Sequence, residues 1–172
     1  MNVGASDITD YGNYYMYGMG SKTYDSTDTP YAGDKDPLPT SADTAAQEWG
    51  GEWHTPTRIQ IQELTASTTY QWVTDYQGSG INGALFTAQN GNSMFLPAAG
   101  HWYNNSHSDA NIGGGYWCST PAYLLGFDSE GKGVGNRDRD YGWSVRPVVD
   151  GNFSDGGNYS DGGAEGDDEI IG

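Results

Sequence analysis

The sequence predicts an α+β domain built of two short helices, small antiparallel sheets and much ordered loop. Three observations carry this. The 172 residues include 27 glycines and are 13% aromatic, so the chain turns often and draws its core from large rings, which suits strands and loops better than a helical bundle. Two segments carry helix-capping residues at their start, and Asn90-Gly91 joins two short apolar runs as a hairpin turn. A chain of this length supports one real core, so residues 1–149 are expected to form a single unit, followed by an acidic Gly/Asp-rich tail over 150–172.

Residues 4–40 are rich in Gly, Tyr, Asp, Ser and Thr, with Pro30, Pro37 and Pro39 and no sustained period. They read as ordered loop, and Tyr11, Tyr14, Tyr15, Tyr17, Tyr24 and Tyr31 are expected to seal it onto the domain in preference to stacking on a sugar. Ser41 is placed to cap a helix over Ala42–Trp49 that Gly50 and Gly51 stop. After Pro56, Thr57 with Gln60 forms a capping box for a second helix over Arg58–Ala66, with Ile61 and Leu64 on one side. Strands are expected at Trp72–Tyr76, Ala84–Ala88 and Ser93–Leu96, the last two joined through Asn90-Gly91. Ala98–Gly115 reads as a long polar loop. Long loops on rigid scaffolds commonly carry function, so Tyr103, Asn105, His107, Asp109 and Asn111 join the candidate surface.

The final strands are expected at Tyr116–Cys118, Ala122–Asp128, Gly133–Arg137 and Ser144–Val148. Within the second of these, Tyr123, Leu125 and Phe127 share a face that suits a core. Leu124, Gly126 and Asp128 share the other, and no single structural demand explains an apolar, an absent and a charged side chain together. That face suits contact with something outside. Asp138 and Asp140, flanked by Arg137, Arg139 and Tyr141, read as exposed recognition chemistry better than as a catalytic carboxylate pair.

Charge narrows the partners. The formal net charge is −16, so attraction to a nucleic-acid backbone or an anionic membrane is disfavoured. Seven of the 23 acids follow Val149 with no base among them, which leaves −9 for residues 1–149. The single Cys118 excludes an intrachain disulfide and a multi-cysteine zinc site. His54, His101 and His107 form no His-Glu-x-x-His pattern, and no Gly-x-Ser-x-Gly elbow or phosphate-binding glycine loop is present. No enzyme constellation emerges. Asp150, Asn152, Ser154 and Asp155 are spaced somewhat like the start of a calcium loop, but the glycine falls one place late, so a solvated acidic tail is the preferred reading and no cofactor is expected.

The strings Gly-Tyr-Trp-Cys-Ser-Thr-Pro (115–121), Leu-Leu-Gly-Phe-Asp-Ser (124–129) and Gly-Trp-Ser-Val-Arg-Pro-Val (142–148) resemble the C-terminal half of the Fibrobacter-succinogenes-type major paralogous domain. Residues 49–57, 90–100, 2–5 and 10–15 fit the same pattern, so the resemblance spans about residue 2 to 149. It implies a C-type-lectin-like fold in which Met1-Asn2-Val3 ends a first strand, with leader and upstream sequence outside this chain. The segment is also similar to the variable region of proteins diversified by retroelements, where that fold displays mutated residues to a ligand.

Adenine mutagenesis of an asparagine codon reaches many residue types but not Lys, Glu, Gln, Met or Trp. Leu124, Gly126, Asp128, Asp138, Asp140 and Tyr141 lie within that set; with Asn136 and the 103–111 residues they form the ligand-binding surface the resemblance implies. It implies a receptor- or adhesin-type protein meeting a protein or glycan on another cell or host surface, located at a cell surface or on a phage virion. A fixed cell-envelope domain with a structural or glycan-binding role is the alternative. A sulfatase-modifying-type enzyme is the least supported reading, because that chemistry uses paired cysteines.

Overall fold

The computed structural model describes residues 12–150. The expected first strand at Met1–Val3, Tyr11 of the sealing tyrosines and the Asn152, Ser154 and Asp155 part of the calcium loop lie outside them. The described chain is mixed α+β, with few helices and several small sheets.

Helix α1 covers Thr44–Trp49. Its cap is Asp43 and not Ser41, because the Asp43 carboxylate accepts from the Ala45 and Ala46 amides while Ala42 is held in a turn by the Pro39 carbonyl. Helix α2 covers Arg58–Ser67, and its Thr57–Gln60 capping box is present in both directions. Strand β1 (Trp53–His54) lies between the helices in sequence and pairs with the last strand, β10 (Val148–Val149).

The chain leaves α2 directly into β2 (Thr68–Val73), which pairs antiparallel with β3 (Gly83–Ala88), itself paired with β4 (Ser93–Pro97). The strand expected at Trp72–Tyr76 thus begins and ends earlier. Thr68 and Thr69 extend it toward the helix, and Asp75 at φ 50° turns Tyr76 out of it.

The expected long loop is largely a hairpin. Strands β5 (Ala99–Tyr103) and β6 (Ser106–Ala110) are joined by Asn104 and Asn105, with φ of 46° and 60°. A two-residue hairpin turn needs left-handed backbone at both central positions, and asparagine tolerates it. Strand β5 then meets β7 (Gly113–Trp117) in parallel at Gly100 and Gly114, and β7 continues antiparallel to β8 (Tyr123–Asp128) and β9 (Gly131–Asn136). The resulting five-stranded sheet has the order β6-β5-β7-β8-β9. The strand expected at Ser144–Val148 is mostly single bridges, Trp143 to Tyr15 and Ser144 to Tyr116, before β10 begins.

Two apolar clusters sit on opposite sides of β7 and β8. Tyr116, Leu125 and Phe127 join Ile61 and Leu64 of α2 and Phe86, Met94 and Leu96 of the three-stranded sheet. Trp117 and Leu124 turn the other way and meet Tyr15, Tyr17, Leu38, Ala45 and Val145. The tyrosine-rich loop does pack on the domain: Tyr15 and Tyr17 are buried, and Tyr15 gives its carbonyl to the Trp117 indole at 2.8 Å. This cover corrects one expectation. Leu124 is only 2% exposed, a core residue of the second cluster and not part of an outward surface.

Candidate functional site

The face expected to look outward is divided. Toward the ends of β7 and β8 that carry Trp117 and Leu124 it is roofed by the 12–45 segment; farther along it opens. The register aligns Trp117, Leu124 and Gly135 in one row, Gly115, Gly126 and Gly133 in the next, and Gly113, Asp128 and Gly131 in the third. Six of these nine positions carry no side chain.

Glycine weakens a strand, so each needs a reason, and packing supplies one in only part of the set. At Gly115 a methyl group would stand 2.3 Å from the Trp143 ring, so that indole covers the position. At Gly135 it would stand 3.4 Å from the Arg137 guanidinium. At Gly126 it would meet only Leu124 at 3.6 Å and the Gly133 carbonyl at 4.0 Å, and at Gly133 nothing among the described residues within 4 Å. The adjacent glycines of β8 and β9 therefore form an open slot that no described part of the protein fills.

This slot is the floor of a groove of about 720 Å³. One wall is aromatic. The Trp143 and Tyr141 rings are nearly parallel with centroids 6.3 Å apart, and Tyr141 stacks on Tyr103 at 4.3 Å. His101 packs against both, 4.8 Å from Trp143 and 5.5 Å from Tyr141, and its Nδ1 lies 3.6 Å from the Asp109 carboxylate. Ile112 contributes an exposed apolar lip, and Asp128 and Glu130 stand where β8 turns into β9. Asp128 Oδ1 accepts from the Glu130 and Gly131 amides, which fixes that turn.

Burial pushes the His101 imidazole below the ordinary histidine range, opposed by the nearby Asp109 carboxylate and reinforced by His107. The wall is therefore neutral at pH 7. Because the unfolded chain takes up this proton more readily, stability should be intact above the ordinary histidine pKa and decline as pH falls through the lower folded value. Thermal melts from roughly pH 7 down to pH 5 should show that decline, and His101→Phe, which keeps the ring, should flatten it.

Of the residues expected to bind, Asp109, Leu124, Gly126 and Asp128 line the groove, Leu124 as a core residue that is only 2% exposed, while Tyr103 and Tyr141 stack behind Trp143 without lining it. The others do not converge there. Asn105 accepts from Ser26 in the hairpin turn, and His107 is held by the Tyr14 hydroxyl and the Ala99 carbonyl while stacked on Trp102. Asn111 ties the hairpin to the 80–82 turn through Asn82 and Gly80. Asn136 alternates away from the glycine face, and Asp138 and Asp140 lie outside the groove lining. Arg139 is a strut, donating to the Tyr31 and Gly33 carbonyls and to Asp34.

Asp150, the described member of the calcium candidates, accepts from His54 at 2.9 Å and from Gln60, so its Oδ1 anchors the end of β10 to α2. Cys118 is fully buried, and burial pushes its thiol up to about 12, so it stays protonated at neutral pH. Among the described residues no helix is long and apolar enough to cross a membrane.

No family model matches the chain, and neither a curated protein nor a solved structure matches it. The site is accordingly defined by its own geometry. His101, Trp143, Ile112 and the glycines of β7 and β9 were not among the expected binding residues. For the β9 glycines the signal was the alternation Gly131-x-Gly133-x-Gly135, which a half-buried strand does not otherwise require.

Proposed function

We propose that this protein is a non-enzymatic, receptor- or adhesin-type ligand-binding protein that presents the groove over Gly126 and Gly133 to a protein or glycan on another surface. The open glycine slot beside the Trp143–Tyr141–Tyr103 rings is the observation that carries the reading. It is a concave, mixed apolar and polar surface fixed on hydrogen-bonded strands, so binding costs little backbone ordering. The two short helices, the small sheets and the long tyrosine-sealed loop support a C-type-lectin-like scaffold, and the resemblance to retroelement-diversified proteins makes the groove face the diversified one. A cell surface or a phage virion is the corresponding location.

The buried Leu124 favours the second reading, a fixed cell-envelope domain, at that position, because a residue in the core tolerates few replacements. Sequencing the DNA around the coding region separates the two. Diversification predicts a neighbouring reverse transcriptase and a near-identical repeat that differs at adenines in the codons for Asp109, Gly126, Asp128 or Tyr141, with the Leu124 codon unchanged. An invariant locus with no such repeat leaves the fixed domain.

A further inference from the structure

The groove has a shape and a charge that select among ligands, and the inference drawn from them rests on the groove being the binding site. Its floor is bare backbone at Gly126 and Gly133, an apolar strip bordered by the Trp143 indole. Its acids are Asp109, Asp128 and Glu130. Two bases, Lys132 and Arg137, line the groove as well, which leaves the acids in excess by one. The Lys132 side chain leaves toward the opposite side of β9, its ammonium 5.9 Å from the centre of the Tyr70 ring, and His101 is held neutral by its burial. Arg137 donates to the Asn136 carbonyl and lies against Gly135, one row from the slot. The exposed lip, Ile112 at 65%, is apolar. The whole chain carries −16, a field that draws basic partners inward.

We propose that the slot receives an arginine side chain presented by a basic protein partner. The aliphatic stem lies on the Gly126 and Gly133 backbone, where any larger side chain would exclude it. The guanidinium plane packs beside the Trp143 indole and forks onto the carboxylates of Asp128 and Glu130. Each feature matches one part of that residue: the side-chain-free strip its stem, the indole its planar cation, the paired acids its five donors. A lysine ammonium has no plane to stack, and a neutral sugar gains nothing from the acidic field.

The test is a titration of the isotope-labelled protein, followed by amide and indole NMR shifts, with three probes: N-acetyl-arginine methylamide, its uncharged citrulline analogue and methyl β-glucopyranoside. The expected result is that the arginine compound shifts the Gly126 and Gly133 amides and the Trp143 indole, with the citrulline analogue about tenfold weaker. Gly133→Val and Glu130→Gln should each weaken the arginine compound by about the same factor without lowering the melting temperature. Equal binding of the arginine and citrulline compounds overturns the proposal, as does binding of the glucoside alone; the latter leaves the groove as the binding site. If no probe moves a groove resonance, both the arginine proposal and the groove's role fail.

Discussion

Asp43→Ala is expected to destabilise the fold by about 4 kcal/mol, read as a shift in the urea midpoint at unchanged slope. The side chain is 3% exposed, and its carboxylate accepts from four donors: the Ala45 and Ala46 amides at 2.9 and 3.3 Å, the Thr55 amide at 3.0 Å, and the Thr55 hydroxyl at 2.7 Å. It thus caps α1 and ties that helix to the segment between β1 and α2. Alanine removes every acceptor at once and leaves buried N–H groups without water. Asp43→Asn keeps one oxygen, so it should recover roughly half of the loss. An alanine variant that melted like the wild type would mean that the cap carries none of this connection.

Gly100→Ala should be comparably damaging, about 4 kcal/mol, for a steric reason. Gly100 has φ +62°, where a side chain is strained, and an added methyl would stand 1.9 Å from the Ser108 carbonyl oxygen and 2.7 Å from the Ala110 amide. Both neighbours are backbone of the paired β6 strand and cannot rotate away. Gly100 is also the residue through which β5 meets β7, so any relief would separate the hairpin from the sheet and carry His101 out of the aromatic wall. Circular dichroism melts should show the loss, and the Tyr103–Tyr141 ring contact should weaken with it. Retention of wild-type stability would show that this crossing is wider than described.

What could be read from the chain alone followed the range of the interactions involved. The Thr57–Gln60 capping box, the Asn90-Gly91 hairpin and the inward alternation of Tyr123, Leu125 and Phe127 depend on neighbours a few residues away, and each appears in the structure. Asn104-Asn105 was equally local, but the polar residues around it resembled a loop and concealed a hairpin. The fate of Leu124 was not local. Alternation placed it opposite the main core, and the second core that covers it is assembled from distant parts of the chain, Tyr15 and Tyr17 with Leu38, Ala45 and Val145. The groove was half legible for the same reason. Gly126 and Asp128 follow from alternation, whereas their alignment with Gly133 and the arrival of Trp143 over Gly115 depend on strand register.

That register makes Gly126→Val an unusually informative change. A valine there has room in the groove and suits a strand better than glycine, so the variant should be as stable as the wild type or more stable by about 0.5–1 kcal/mol. Its side chain would nevertheless fill the slot. The decisive measurement selects a binder to the wild-type protein from a random displayed peptide library, then determines its affinity for both proteins alongside their melting temperatures. An undiminished melting temperature with affinity weakened by about tenfold or more is the expected result. Unchanged affinity for the valine variant would contradict the assignment of the glycine-floored groove as the binding surface.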